Sequence, residues 1–529
     1  MKRDSATLPN QHFDLLVCGG GIYGAWTAYD AALRGLKVAL IEQGDWASAT
    51  SSASSKLIHG GLRYLETYDF KLVSKSLKER TLLLHTAPHR VWPLRFGVPV
   101  YAQHRMNRIQ LKLGLALYDF LAGDSDPQLR HSYFNPEQFI EHFPCLDEQA
   151  LKGGFTYADA QTDDARLVLE LISGAQDAGA SCINYCKLVQ LLETNGKANG
   201  AIVQDQLTQT EQKISAKQIV FTTGQWLAKE VQSRKWCRLA KGIHLVMPGV
   251  LKDEALLLTA KSDGRVFFMV PWYGLTLLGT TDTDFKGNIG QVSVDASDID
   301  YLLAAANNYL KTPWNESDII GRFAGVRVFK QNTQTASSGS PSAVSRDWEL
   351  KSAPNGVHYA IGGKITSSRQ DAARIVDTVC SQLGTALPCA TQDRLFPWAP
   401  QESFADWSAR MLGLAAQLGI DTESAKWLLH RHGTRITEIL RSIETEADLA
   451  QRIIPSLPFI VADLLHCAAT EMVIHLEDLL RRRLPLLILA KLTENELQQI
   501  ALHVADTLHW DDARTHQEVE RCCKQWITH

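Results

Sequence analysis

The sequence predicts an α/β chain: a dinucleotide-binding domain interleaved with a second β-sheet domain, followed by an all-helical C-terminal domain. Three observations predict it. An apolar run at residues 13–18 leads into the G-x-G-x-x-G turn Gly19-Gly20-Gly21-Ile22-Tyr23-Gly24, a helical stretch to Leu33 and a second apolar run at 37–41 that ends on Glu42. Short strand patterns broken by turn dipeptides recur between residues 181 and 361. Beyond residue 390, after the punctuation of Pro388, Pro397 and Pro400, only helical spacing remains.

The first of these is the β-α-β dinucleotide fingerprint in its required context. Gly19 permits the tight turn, Gly21 lets backbone approach a pyrophosphate, and Gly24 lets helix and strand pack closely. A pyrophosphate there meets the positive end of the helix dipole. Glu42 stands about twenty residues on, where a carboxylate accepts hydrogen bonds from an adenosine ribose.

Length and composition set limits. With 529 residues the chain needs two or three cores. A composition 45% hydrophobic and 21% charged is that of a globular protein, and a net charge of −4 argues against bulk nucleic-acid binding. No apolar run reaches the roughly 18 residues that span a bilayer, and residues 1–12 are polar with no secretory h-region. Ten scattered cysteines, with no C-x-x-C, are expected to be free thiols, and no metal site is expected.

Along the chain, the segment Thr50-Ser51-Ser52-Ala53-Ser54-Ser55-Lys56 concentrates hydroxyls, amides and an ammonium, good chemistry for an anion. Leu57-Ile58-His59-Gly60-Gly61-Leu62-Arg63-Tyr64 follows, its glycine pair allowing backbone near a flat ring. Residues 70–88 have helical spacing and end on a proline. Residues 105–120 place Ile109, Leu113, Ala116, Leu117 and Phe120 on one helical face with Arg105, Arg108 and Lys112 beside it. That face suits either packing on the core or a basic amphipathic contact with a membrane surface.

The run from 50 to 66, TSSASSKLIHGGLRYLE, closely resembles the FAD-dependent glycerol-3-phosphate dehydrogenases, the respiratory enzymes of glycerol metabolism. The resemblance extends through Gly153-Gly154-Phe155-Thr156-Tyr157-Ala158-Asp159, Lys241-Gly242-Ile243-His244, Gly279-Thr280-Thr281-Asp282, Gly325-Val326-Arg327, Ser345-Arg346-Asp347 and Gly362-Gly363-Lys364-Ile365-Thr366. It is looser in the helical domain, through Arg431-His432-Gly433-Thr434 and Glu477-Asp478-Leu479-Leu480-Arg481-Arg482-Arg483. It implies a two-dinucleotide-binding-type FAD domain (parts near 10–70, 150–225 and 350–385), a β-sheet substrate domain (70–150 and 226–350) and the helical domain at 390–529.

The remaining elements fit that plan. Residues 167–178 read as a helix, and 181–205 as short strands broken at Asn195-Gly196 and Asn199-Gly200. A strand at 216–221 ends at Thr222-Thr223-Gly224, where flavoproteins of this type bring the chain back against the cofactor; Gln225 replaces the family's proline. Strands at 266–270 and 275–278 flank Tyr273-Gly274, and a strand at 357–361 enters Gly362-Gly363 and the helix 366–379. That helix N-terminus points positive dipoles at the pyrimidine end of an isoalloxazine.

For site residues, the resemblance implies cofactor contacts from Gly19, Gly21, Ile22, Gly24, Glu42, Gln43, Thr50, Ser51, Ser52, Lys56, Leu57, His59, Gly60 and Gly61, and again from Thr223, Gly224, Gly363, Lys364, Ile365 and Thr366. Arg63 and Tyr64 match residues close to substrate, and Arg327 and Arg346 match the two phosphate-contacting arginines. Arginine suits that task because its planar fork bonds two oxygens at once. His244 is the leading proton acceptor and His59 the runner-up, since imidazole titrates near neutrality. Lys364 is placed to stabilise an alkoxide and the reduced ring. Val328 stands where the family has proline, and the loop 332–345 lacks the family's acidic residues.

The expected reaction is oxidation of sn-glycerol 3-phosphate to dihydroxyacetone phosphate by hydride transfer to flavin N5, with electrons passed to membrane quinone. An oxidase using dioxygen, or a dehydrogenase of a related hydroxy acid or polyol phosphate, stays open on the same fold. Expected partners are the phosphorylated alcohol, quinone, the inner face of the cytoplasmic membrane as a peripheral contact, and a second copy as a homodimer; nucleic acid is not among them.

Overall fold

The structure, a computed structural model, describes residues 1–65, 68–102, 108–123, 126–230, 232–331 and 347–527. Arg105 and Arg346 lie outside them.

The fingerprint folds as its pattern requires. His12–Cys18 is flanked on both sides by parallel strands, Val38–Ile41 and Glu211–Phe221, with the helix Ile22–Leu33 crossing between the first two. Ser181–Ile183 extends the sheet beyond Val38–Ile41, and His358–Ile361 extends it beyond Glu211–Phe221. Among the described residues this sheet has eight strands, including the antiparallel pair Cys186–Thr194 and Lys197–Asp205. The central strands are buried on both faces, which is why they read as continuous apolar runs rather than alternating ones. The helices Ile22–Leu33, Asp164–Asp177 and Ser368–Gln382 cover one face. Asp164–Asp177 begins three residues before its apolar spacing does, because Asp163 caps it by accepting from the Arg166 N–H at 3.4 Å.

A second sheet, of ten strands among the described residues, carries Cys237–Met247 at one end and Val91–Tyr101 paired antiparallel with Leu151–Thr162 towards the other. Gly321–Lys330 pairs antiparallel with Cys237–Met247, from Cys237 opposite Lys330 to Val246 opposite Gly321. Leu57–Ile58 and Leu151–Thr162, read from sequence with the cofactor part, hydrogen-bond into this second sheet.

The C-terminal helices Phe404–Gln417, Thr422–His432 and Ile436–Thr445 gather around their own core of Trp407, Leu428 and Ile439. The later segments do not form a separate body. Leu476, Leu480, Ile488 and Leu497 share one continuous core with Val246, Trp272 and Phe323 of the second sheet. All ten cysteines are free, and among the described residues no helix is long and apolar enough to cross a membrane.

Candidate active site

The parallel strands of the first sheet end together, and a cavity of about 570 Å³ opens at their carboxyl ends. Cys18 and Gly19, Ile41 and Glu42, Phe221 and Thr222, and Ala360 and Gly362 line it, each group following its own strand. That is where open α/β sheets bind ligands. The second sheet closes the opposite side with Gly242, Leu257, Phe268 and Arg327.

At the first end the wall is backbone. Gly24 packs so tightly that a Cβ there would overlap the Gly19 carbonyl oxygen, which seats the helix Ile22–Leu33 with its N-terminus facing the cavity. Glu42 accepts from the Gly20 N–H at 2.7 Å and the Gly44 N–H at 2.9 Å, fixing the turn. Burial raises its carboxyl above the usual range. Gly21 faces the cavity with no side chain; a Cβ there would lie 3.0 Å from the Ser51 hydroxyl, which itself accepts from the Ile22 N–H at 3.0 Å. Amides, hydroxyls and a helix N-terminus around a gap that a Cβ would narrow suit the diphosphate of a dinucleotide.

At the other end the wall is cationic. Arg327 donates to the Thr281 carbonyl at 3.1 Å, to Asp282 at 3.3 Å and to the Thr280 hydroxyl at 2.8 Å. Arg265 donates to the Asp282 carbonyl at 2.9 Å and pairs with Asp263 at 3.1 Å, so both guanidiniums meet at Asp282. Tyr64 lies between two further cations: the Lys364 ammonium is 3.9 Å from its ring centroid and the Arg63 guanidinium 5.0 Å. Such contacts orient long side chains that would otherwise sample many rotamers. The ends are tied together, since the Thr50 hydroxyl donates to the Val326 carbonyl at 2.6 Å, one residue before Arg327.

The structure brings most of the expected residues to this one cavity. Gly19, Gly21, Ile22, Glu42, Gln43, Thr50, Ser51, Leu57, His59, Gly61, Arg63, Tyr64, Thr223, Gly224, Arg327, Gly363, Lys364, Ile365 and Thr366 all line it. Gly24, Ser52, Lys56 and Gly60 stand behind the wall. Lys56, read as an anion-binding ammonium, is 2% exposed; it is ion-paired with the buried Asp164 and donates to the Ser52 carbonyl. Gly60 donates to Asp159 at 3.1 Å beneath Tyr118. His244 is 1% exposed and does not line the cavity. Its ring stacks on Phe323 at 4.9 Å, and its Nε2 shares a hydrogen bond of 2.9 Å with the Ser55 hydroxyl, which does line it. Burial first, then the charges of Arg327 and Lys56, push the imidazole well below its ordinary pKa, so it is neutral at pH 7.

Comparison with known proteins decides the family. A model described as FAD dependent oxidoreductase matches residues 14–368, and one for the C-terminal domain of alpha-glycerophosphate oxidase matches residues 400–515. A glycerol-3-phosphate dehydrogenase of Synechocystis sp. is 36% identical, covering 91% of this chain and 90% of its own length. The chain belongs to the FAD-dependent glycerol-3-phosphate dehydrogenase family. An aerobic glycerol-3-phosphate dehydrogenase of Bacillus subtilis is 35% identical over 84% of this chain and 82% of its own. Among solved structures, the glycerol-3-phosphate dehydrogenase of Bacillus halodurans complexed with FAD superposes with a TM-score of 0.80, covering 98% and 96% of the two chains at 27% identity. The L-alpha-glycerophosphate oxidase of Mycoplasma pneumoniae shares the fold, at TM-score 0.56 and 18% identity over 73% of this chain and 100% of that one. FAD is therefore the dinucleotide of this family's site.

Sequence reasoning missed Arg265 as a wall residue, and gave no site role to Asp282 and Ser55, which stood inside motifs it singled out. Arg265 follows the turn pair Asp263-Gly264, whose glycine has φ +74°, and an arginine straight after a hairpin turn carries no other signal. Gln225, in place of the family's proline, has a use: its side-chain amide donates to the Ile289 carbonyl at 2.6 Å, holding the Thr223-Gly224 turn against the second domain.

Proposed function

We propose that this chain oxidises sn-glycerol 3-phosphate to dihydroxyacetone phosphate and delivers the electrons to membrane quinone. The observation that carries the reading is the cationic end of the cavity, where Arg63, Arg265, Arg327 and Lys364 face the space next to the dinucleotide turn. Bound FAD supplies the two-electron acceptor. Arg327 holds the substrate phosphate, with Arg346, outside the described residues, as its expected partner. Lys364 and Arg63 stabilise the alkoxide as its proton leaves. The proton passes to His244 through the Ser55 hydroxyl, 2.9 Å from Nε2. A phosphate dianion at Arg327 offsets one of the charges that depress the imidazole, so substrate binding itself makes His244 a better acceptor. His59, on the cavity wall, is the alternative acceptor.

Anaerobic mixing tests the substrate. Glycerol 3-phosphate should bleach the bound flavin, and glycerol at the same concentration should not. Equal bleaching by both would remove the phosphate assignment.

The membrane reading rests on the helix Arg108–Ala122. Leu111, Leu115 and Tyr118 face the core, while Ile109 (70% exposed), Leu113 (66%) and Phe120 (80%) face outwards, and Tyr68 (78%) is exposed just before the neighbouring helix Phe70–Thr86. Exposed Arg108, Lys112, Lys71 and Lys78 lie on the same helix or the neighbouring one. Large exposed apolar side chains together with exposed cations on the same pair of helices suit an anionic bilayer surface. The turn Leu62–Leu65, whose Leu62, Arg63 and Tyr64 line the cavity, packs against both helices, which ties this pair of helices to the cavity wall. Wild type should float with anionic liposomes, only partly released by salt because charge is screened over about 10 Å at 0.1 M while apolar contact is not. Ile109→Ser/Phe120→Ser should float much less. Equal flotation excludes this helix; absence of flotation with rapid peroxide formation in air favours dioxygen as acceptor.

A further inference from the structure

The motif Glu477-Asp478-Leu479-Leu480-Arg481-Arg482-Arg483 has no part in the chemistry above, yet its three arginines are buried. They sit on Leu479–Arg483, a π-helical turn that sends consecutive side chains in different directions. We propose that this turn makes the C-terminal domain a positioning element for the cavity: Arg482 and Arg483 hold the FAD-binding turn through Asp45, and Arg481 holds the Arg327 strand through Phe323.

The first arm is continuous. Arg482 donates to Asp45 at 2.5 Å and to Asp478 at 2.6 Å. Arg483 donates to Asp45 at 3.0 Å and to the Glu471 carbonyl at 2.7 Å. Burial alone would raise the Asp45 carboxyl; Arg483 and Arg482 outweigh it and hold it below the usual range. From Asp45 the chain runs straight to the cofactor turn. Trp46 is fully buried against Gly20, where a Cβ would overlap its ring, and Ala47 N–H donates to the Gly20 carbonyl at 3.1 Å. Gly20 is thus held through its carbonyl by the Asp45–Ala47 corner and through its N–H by Glu42.

The second arm reaches the substrate end. The Arg481 guanidinium lies 5.4 Å from the Phe323 ring, which stacks on His244 and stands four residues before Arg327 on Gly321–Lys330. Further along the same segment, the Ile488 carbonyl packs against Gly321 so closely that a Cβ there would overlap it. One short turn therefore grips both halves that must meet for hydride transfer. Arg482 and Arg483 face Asp45 and Asp478 as a buried quartet, with the Glu477 carboxylate 3.2 Å from Arg482 at its edge. A buried quartet of this kind adds little stability over well-packed apolar residues, whereas fixing register is its best-attested use.

The Asp45 arm rests on FAD binding and not on the substrate assigned above, and only the Arg481 arm uses that substrate, so FAD release from the full-length holoenzyme is the primary readout. On dilution, Arg483→Met and Asp45→Asn should release FAD at least tenfold faster than wild type, followed by flavin fluorescence. With FAD in excess, their KM for glycerol 3-phosphate should stay within twofold. Arg481→Met should do the reverse, keeping FAD release within twofold while kcat/KM falls at least fivefold. The Asp45→Asn/Arg483→Met double variant should be no worse than the more severe single one. Arg483→Lys should recover part of the FAD retention. A merely structural role would lower the thermal midpoint of all variants without separating FAD release from KM, and that result overturns the proposal. So does FAD release within twofold of wild type in both Asp45→Asn and Arg483→Met, or failure of both to fold.

Discussion

At its first end the cavity offers backbone: Gly19, Gly21 and the N-terminus of Ile22–Leu33, with hydroxyls from Thr50 and Ser51. At its second end it uses long cationic side chains, Arg63, Arg265, Arg327 and Lys364, braced by Tyr64 and Asp282. The backbone site comes from contiguous residues, because a helix dipole and a tight turn are local properties. The cationic site is assembled from chain positions hundreds of residues apart, because guanidiniums must converge on a point. The backbone end tolerates no added atoms, while the side-chain end can be trimmed one arm at a time.

The largest break in this comparison is Gly21→Val. Branched carbons would fill the gap before Ser51, where a Cβ already comes to 3.0 Å. The variant should fold and lose FAD by more than about a hundredfold in affinity, the steric analogue of overpacking; titration by flavin fluorescence measures it, and a yellow variant would contradict it.

Arg327→Ala comes next. Losing a charged hydrogen-bond partner costs about 1.5–3 kcal/mol, a rise in KM of roughly ten- to a hundredfold with FAD retained. Arg327→Lys should recover only part, lacking the two-pronged contact.

Arg265→Ala sharpens the picture within the cationic end. Its guanidinium is held by Asp263 and the Asp282 carbonyl, and unlike Arg327 it does not match one of the phosphate-contacting arginines, so its removal should raise KM by only about three- to tenfold. An effect as large as that of Arg327→Ala would make the two arginines equal partners on the phosphate.

The smallest effect concerns pH, and its direction differs at the two ends. His244, depressed by burial and then by Arg327 and Lys56, contributes stability that is complete above its unfolded pKa near 6.5 and is lost as pH falls. The loss is up to about 1.4 kcal/mol per pH unit, and His244→Asn should flatten it. Glu42 is raised by burial, so its protonation favours the folded state, and the cost of burying its charge eases as pH falls through the raised value towards 4.5. Thermal midpoints of His244→Asn and Glu42→Gln between pH 7 and 4.5 should therefore diverge from wild type in opposite directions.

Two residues and one helix show how far the sequence reached. Lys56 stands in a run of small polar residues and reads as a cation for an anion; its partner Asp164 lies 108 residues away, and only folding reveals that the charge is already neutralised. His244 shares a strand face with the cavity-lining Gly242 by the period of two, yet Ser55, from another element, covers its ring nitrogen. The helix Arg108–Ala122 carries two apolar stripes, and sequence could not tell which one faces the core; Leu111, Leu115 and Tyr118 do, which leaves Ile109, Leu113 and Phe120 outside.

What the sequence determined by itself was local: the dinucleotide turn, the acid that closes it, the strands of the first sheet beside that turn, and the switch to an all-helical region. Each depends on neighbours in the chain, where backbone conformation and side-chain periodicity act. The tertiary structure alone decided which cations face the cavity, which are spent on buried partners, and that the last helical segment joins the core of the second sheet. Those outcomes depend on which charges and apolar faces meet across long chain separations, and a linear pattern carries no distance between them.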